Sequence, residues 1–588
     1  MDKDNKEIQA DFSKLYETYS TAGIEIFNKV MKESPDFIND SIETSQDYSR
    51  FFSEVSSDKE GIAKMQAYYI DFIKKQQDLF KNLAEHQVGK KPDAVINPAP
   101  EDKRFKAEEW NTLPYFDFVK QNYLLISELL TNIVSSTDVD DKLKRKIAFY
   151  TKQYIDAVSP ANFFATNPEA MKLAYETKGQ SLIDGFNNMM TDLKDGRINQ
   201  TDTSAFELGK NLATTPGNVI FENELIQLIQ YTPTTKKIYE TPVLVIPPWI
   251  NKYYILDLKP ENSFVKFVVD SGFTTFLISW KNPTAEMRNV AFEDYVESGV
   301  LKATEVMQSI TGAKKINTVG YCLGGTLQGI TLAISHSRKK VPFESATFLA
   351  SMIDFSDLGP MGDLIDEALV RKIEEGELKE NGMMRGKVMG NAFNVIRSND
   401  LIWNYVTNNY LKGKKLTPFD VLYWNGDNTN LPAAMYGYYL RYMLYENKLS
   451  RKNALRICDT PIDIGKIEIP TFIVGTTEDH ISPAVTTFTT TELVSGPVEF
   501  VLGGSGHVMG IVNHPAKKKY GYFAGGELHK GFAEWKKTAA QHEGSWWDPW
   551  TKWLKGMSGK QIDAPKTAGN TKYKVIEPAP GRYVKEKC

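Results

Sequence analysis

Cysteine is scarce in this chain of 588 residues: three occur, Cys322, Cys458 and Cys588, far apart and odd in number. That excludes a disulfide framework and points to a reducing compartment. Excess charge is also missing, since 70 Lys and Arg against 74 Asp and Glu leave a formal net charge of −4. The chain therefore has no basic footprint for nucleic acid. No run approaches the ~18 apolar residues of a membrane-spanning helix, and Met1-Asp2-Lys3-Asp4-Asn5-Lys6-Glu7 lacks the apolar stretch of a signal peptide. Internal repeats and low-complexity tracts are lacking too. The expectation is a cytoplasmic protein with no transmembrane segment and no nucleic-acid partner, too long for one core and so built from at least two folding units.

What the sequence does contain is concentrated around one of the three cysteines. Gly320-Tyr321-Cys322-Leu323-Gly324, followed by Gly325, has the form of a nucleophile elbow with sulfur in place of oxygen. Residues 315–319 before it read as a short buried strand and 326–335 after it as a helix, which puts Cys322 on the turn between them. Small residues two before and two after the nucleophile let the backbone fold sharply, lifting the thiol to the top of a sheet and aiming a helix N-terminus at it. Both effects favour thiolate. Gly-x-Cys-x-Gly alone equally fits an inert buried thiol in a glycine-bearing turn.

Two further segments bear on that choice. An apolar strand at 470–474 runs into Thr476-Thr477-Glu478-Asp479-His480, and another at 498–502 runs into Gly503-Gly504-Ser505-Gly506-His507. An acid and then a histidine, each just past a strand's carboxyl end and following the nucleophile in sequence, is the order of α/β-hydrolase triads. Cys322, Asp479 and His507 are the candidate catalytic residues. Asp354 is a rival acid, because it follows the apolar run 348–353; otherwise it caps the segment that opens after it.

The remaining sequence supplies a scaffold for those residues. Residues 6–86 show helical periodicity, with Phe12, Leu15 and Tyr16 and later Met65, Tyr68, Tyr69 and Phe72 on repeating faces. A linker is expected at about 89–104, where Gly89-Lys90-Lys91-Pro92 and Asn97-Pro98-Ala99-Pro100 fall. More helices follow over 105–193, one of them capped by Asn167 with Pro168 in its first turn. Residues 1–200 thus read as a helical N-terminal domain. After about residue 216 the pattern changes to short strands at 219–221, 228–231, 243–246, 274–279 and 348–353, with helices at 263–269 and 292–310. Alternation of this kind predicts a doubly wound parallel sheet. It breaks down between 354 and about 449 into helices rich in Tyr, Trp and Met. The fold expected for 201–588 is therefore an α/β-hydrolase fold with a cap subdomain inserted at about 355–449.

Several of these segments resemble one family. Pro247-Pro248-Trp249-Ile250-Asn251-Lys252-Tyr253-Tyr254, Ser279-Trp280-Lys281-Asn282-Pro283, the Cys322 elbow, Tyr423-Trp424-Asn425-Gly426-Asp427, Glu478-Asp479-His480, Gly506-His507 and the closing Ala579-Pro580-Gly581-Arg582-Tyr583-Val584 look like polyhydroxyalkanoate synthase motifs. The resemblance runs from about Arg104 onward, and Asn251-Lys252-Tyr253-Tyr254 is similar to the class I enzymes that use short-chain (R)-3-hydroxyacyl-CoA. It implies that Cys322 bears the acyl group, with His507 as base and Asp479 as its partner acid. It also implies a homodimer that carries a growing polyester chain, lies on polyester granules and meets granule-associated proteins. No cofactor and no metal are expected, since the substrate arrives already activated as a CoA thioester.

Sulfur suits such chemistry. Passing an acyl group from coenzyme A to a cysteine exchanges one thioester for another, so the later transfer to a hydroxyl runs downhill to an oxoester. A thiol of ordinary pKa, about 8.5, needs a base such as His507 in reach to act at neutral pH. His480 reads as a group bonding Asp479 or a cap backbone. The oxyanion needs two donors: one is the N–H of Leu323, and, because neither Pro247 nor Pro248 has an N–H, the other comes from Trp249, Ile250 or Asn251, of which Ile250 is favoured. Asn251 and Asp257 either form the turn or order this loop. Aromatic residues over 403–445 are core or a water-excluding cap, and Lys281, Arg397 and Arg441 are candidates for the phosphates of coenzyme A. A thiol hydrolase such as a thioesterase or lactone hydrolase, and a non-enzymatic granule-coat protein, are the alternative functions.

Overall fold

A computed structural model describes residues 41–588 apart from Lys91. Residues 6–40 of the expected N-terminal helical stretch lie outside the described residues. The chain divides into two compact units, one holding the residues up to Asp202 together with Gly390–Thr417, the other Thr203–Met389 with Pro418–Cys588.

The first unit is helical: α1 Ser41–Ser57, α2 Lys59–Gln87, α3 Pro114–Ser136, α4 Asp141–Ala157, α5 Pro168–Glu176 and α6 Gln180–Asp195. Each start has a local cause. Asp58 and Asp140 accept the first free N–H groups of α2 and α4, and Asn167 accepts from Ala170 N at 3.0 Å with Pro168 behind it. Phe51, Val55, Val134, Leu143 and Ile147 form one core cluster. Gly390–Thr417, part of the stretch read as cap from its composition, groups with these helices because of its side chains. Tyr410 packs on Met189 and donates to Asp192 at 2.6 Å, while Ser398 and Asn399 both donate to the carboxylate of Asp156.

The second unit is built on a 12-stranded sheet. Its strands are β1 Gly217–Glu222, β2 Ile226–Tyr231, β3 Lys237–Ile246, β4 Phe273–Trp280, β5 Ile316–Tyr321, β6 Phe343–Leu349, β7 Thr471–Thr476, β8 Val498–Gly503, β9 Tyr522–Ala524, β10 Ala540–His542, β11 Gln561–Asp563 and β12 Glu577–Pro578. They are ordered β10-β9-β8-β7-β6-β5-β3-β4-β2-β1-β12, with β11 paired to β3. Strands β4, β3, β5, β6, β7 and β8 run parallel. The flanks are antiparallel, so the sheet is mixed rather than wholly parallel. Asn223 explains one flank: its side chain accepts from Leu225 N and Ile226 N, closing the β1–β2 turn.

Helix α7, Leu323–Ser337, follows β5 with nearly every residue buried, and α8, Trp547–Gly556, packs Trp547 and Trp550 with Phe264 against the core of Val243, Val245, Leu277, Val319 and Val474. The apolar run 348–353 is not a strand throughout. β6 ends at Leu349, Ala350 turns at φ 43°, and the rest is buried for another reason: Ile353 packs on Gly329 of α7. Among the described residues no helix is long and apolar enough to cross a membrane.

Register is what makes this sheet a platform. Ile246 pairs with Gly320, Tyr321 with Leu349, Leu349 with Val474 and Thr476 with Gly503. Strands β3, β5, β6, β7 and β8 therefore end level, and the segments that follow them emerge from one edge.

Candidate active site

Cys322 stands at the end of β5 with φ 51° and ψ −126°, a conformation L residues rarely adopt, and it is the residue from which α7 starts. Close approaches impose the glycines around it. A Cβ on Gly320 would lie 2.5 Å from the Cα of Gly325, and one on Gly324 would collide with the Ile246 carbonyl and lie 2.7 Å from that of Pro247. The elbow is thereby pressed against the turn that follows β3, and Trp280 holds that turn by donating to Pro247 O at 2.9 Å. Cys322 N donates to Leu349 O at 2.9 Å, and its side chain gives α7 no cap, which leaves the helix start open for an anion.

The segments after β7 and β8 are laced together. Thr477 N donates to Gly503 O at 2.9 Å and Glu478 N to Ser505 O at 3.0 Å. This brings Asp479 Oδ2 to 2.8 Å from His507 Nδ1. Asp479 is oriented from every side, for Oδ1 accepts from Ile481 N and Ser482 N at 2.9 and 2.8 Å and Oδ2 from Thr476 Oγ1 at 3.1 Å. Burial pushes its carboxyl up, but the charge and hydrogen bond of His507, helped by those two N–H groups, win and hold it below the usual range. Burial likewise pushes His507 down. The charges of Asp479 and then Cys322, with the hydrogen bond that Nδ1 donates to Asp479, carry it well above the ordinary imidazole value. With Nδ1 committed to Asp479, Nε2 is left for the thiol.

Tyr321, which sequence reasoning did not single out, stacks on the His507 ring at 5.5 Å between centroids and donates to its carbonyl at 3.3 Å. Its position next to the nucleophile was the available signal. Tyr439, within the aromatic-rich stretch 403–445, was not singled out either. It meets Trp249 edge-on at 5.0 Å, and burial first, with Cys322 beside it, pushes its hydroxyl well above the ordinary tyrosine value.

The other candidates are distributed as follows. Leu323 is the first residue of α7, and Ile250 is buried in the turn packed against it. Asn251 forms a β-bridge with Asn428. Asp257 is held by the hydroxyls of Thr215 and Ser263 at 2.5 and 2.6 Å, and burial raises its carboxyl. Asp354 accepts from Asn447 Nδ2 at 2.6 Å and from both N and Oγ of Ser356, so it ties the two ends of the inserted segment rather than facing His507. His480 is half-buried, its carbonyl against Gly359. Arg441 is paired with Glu367 and Glu374 and Arg397 with Asp400, while Lys281 lies over the Tyr583 ring at 5.5 Å.

A buried carboxylate–imidazole pair, a thiol within its influence and an open helix start make up the parts of a nucleophilic acyl-transfer site. Comparison with known proteins gives the chain's relatives. A family model described as the N-terminus of poly-beta-hydroxybutyrate polymerase (PhaC) matches residues 101–268, and one described as the alpha/beta hydrolase fold matches 242–513. The poly(3-hydroxyalkanoate) polymerase subunit PhaC of Cupriavidus necator is 46% identical over 492 residues, 83% of each chain. The poly(3-hydroxyalkanoate) polymerase of Methylorubrum extorquens is 41% identical over 87% of this chain and 85% of its own. A thermophilic esterase of known structure from Thermogutta terrifontis, 10% identical, aligns over 58% of this chain and 98% of its own with a TM-score of 0.31, too low to add to the topology already described.

Proposed function

The chain belongs to the poly(3-hydroxyalkanoate) polymerase family, and from that premise we propose that it joins short-chain (R)-3-hydroxyacyl groups, delivered as coenzyme A thioesters, into a polyester with release of coenzyme A. It is an acyltransferase. The Cys322 thiol gives its proton to His507 Nε2 and attacks the thioester carbonyl. The oxyanion is met by the N–H groups of Leu323 and Ile250, and collapse expels the coenzyme A thiolate, which takes the proton back from His507. A 3-hydroxyl then loses its proton to His507 and attacks the acyl-Cys322 thioester, forming the ester bond and returning the thiol. Asp479 orients the imidazole and stabilises its charged form.

The observation that carries this reading is the buried 2.8 Å contact of Asp479 with His507 beside a cysteine on a strained turn. Short-chain preference is supported by the Asn251-Lys252-Tyr253-Tyr254 motif and by the hydroxybutyrate polymerase family model. Incubation of purified protein with 3-hydroxybutyryl-CoA tests it: free thiol should appear together with turbid polymer. Thiol without polymer would mean water takes the place of the hydroxyl, as in a hydrolase, and absence of both would overturn the proposal.

The same reading places the enzyme in the cytoplasm on the polyester surface, active as a homodimer and open to granule-associated proteins. Exposed Phe52 on α1 and Tyr69, Ile70 and Phe80 on α2 support an assembly role for the helical unit. Sedimentation and granule fractionation check this; a monomer that polymerises at full rate away from granules would contradict it.

A further inference from the structure

The geometry points to Asp427 as a positioning residue for the turn that carries the oxyanion donor, an inference that rests on the function proposed above. That turn, between β3 and Tyr254, is irregular backbone, and something must fix it to better than an ångström for an N–H to meet a developing charge. At its start the Pro247 carbonyl is held by Trp280 and by the elbow. Beyond Ile250, three ties run from the turn to one short segment. Asn251 bridges to Asn428, the Lys252 carbonyl accepts from Trp424 Nε1 at 2.7 Å, and Tyr254 donates to Asp427 Oδ2 at 3.0 Å.

Asp427 is the hub of that segment. Its carboxylate is buried, with Tyr254 on one oxygen and the Lys587 ammonium on the other at 2.8 Å. The neighbouring Glu586 completes a strap. Its carbonyl accepts from the buried Lys252 Nζ at 2.7 Å, and its carboxylate accepts from Asn282 N at 3.2 Å. Asn282 in turn accepts from Asn430 N at 2.9 Å, returning to the same segment. The strap, the 424–430 segment and the turn thus form one closed polar network in which Asp427 is, among the described residues, the single carboxylate bonded to both the turn and the strap. Their effect is exerted through where Ile250 N points.

The test uses the full-length enzyme with 3-hydroxybutyryl-CoA and reads kcat, KM, acylation of Cys322 in a single turnover and thermal unfolding. Asp427→Asn keeps the size but loses the ion pair, and Tyr254→Phe removes one donor while keeping the ring. Both should lower kcat and the acylation rate by about tenfold to a hundredfold, the scale of a misplaced catalytic group, with KM changed by less than about threefold because ground-state binding is untouched. Lys587→Met should show a smaller loss of the same kind, and Lys587→Arg should restore it. A merely structural role would instead lower the unfolding temperature and leave kcat per folded enzyme unchanged, and that result would overturn the inference. Parent enzyme that labels Cys322 alongside variants of unchanged acylation rate would sink the positioning role alone, whereas parent enzyme that never labels Cys322 would sink it together with the proposed function.

Discussion

Asp354 and Asp479 are buried alike, each 9% exposed, and each lies just beyond a strand at the centre of the sheet. From the sequence they compete for one role. What separates them is the company each keeps: Asp479 faces an imidazole whose charge it can share, whereas Asp354 faces the neutral donors of Asn447 and Ser356. The neighbour, and not burial, decides whether a carboxylate serves chemistry or architecture. The one carboxylate orients an imidazole; the other closes the neck of an insertion.

The comparison can be broken most severely at its histidine. His507→Gln should cut both acylation and chain transfer by about ten-thousand-fold or more, since each step needs a proton removed; stopped-flow release of coenzyme A measures the first and turbidity the second. Next comes Asp479→Asn, expected to cost about a hundredfold to ten-thousand-fold, with elongation hurt more than the first acylation. Equal loss at both stages would reduce Asp479 to a plain triad member. Asp354→Asn should keep kcat within about threefold and lose about 1.5 to 3 kcal/mol of stability, the worth of a hydrogen bond to a charged group. If Asp354→Asn is instead the more damaging change for turnover, the roles are reversed. Cys458→Ser and Cys588→Ser should be the quietest, leaving acyl labelling within about twofold of the parent.

The pair also sets a pH dependence of stability. His507 titrates well above its ordinary 6.5, so its contribution is complete below that value and is lost as the pH rises through the folded-state value. Asp479 titrates below 3.8, so its contribution is complete above that value and is lost as the pH falls through the lowered one. The stability deficit of Asp479→Asn should therefore be largest near about pH 5 and shrink as the solution is made alkaline. Chemical denaturation across that range reads it out, and a deficit that grows with pH would contradict the shared-charge account.

Much of the site was legible in the sequence because its constraints are local. Gly320 and Gly324 are demanded by approaches of backbone to backbone at the elbow, and Asp479 and His507 by their places past two strand ends, so residue type and spacing record both. The Asn167 cap was legible for the same reason. Contacts between distant segments were not. Nothing near Tyr410 in the chain announces Asp192, and the stacking of Tyr321 on His507 depends on a register that only the assembled sheet supplies. The run 348–353 misleads because burial against α7 leaves the same apolar signature as a strand. The antiparallel flank β9–β10 escapes for a simpler reason, since Tyr522–Ala524 and Ala540–His542 are too short for period-2 alternation to register.

The most direct test of the central claim, that acyl groups travel through Cys322 under the control of Asp479 and not Asp354, is mass spectrometry of the cysteine peptides after a brief exposure to 3-hydroxybutyryl-CoA. The account predicts a hydroxyacyl group on Cys322, formed at the parent rate in Asp354→Asn, slowed in Asp479→Asn and absent in Cys322→Ser. A label on Cys458 or Cys588, or polymer made by enzyme whose Cys322 never carries one, would contradict it.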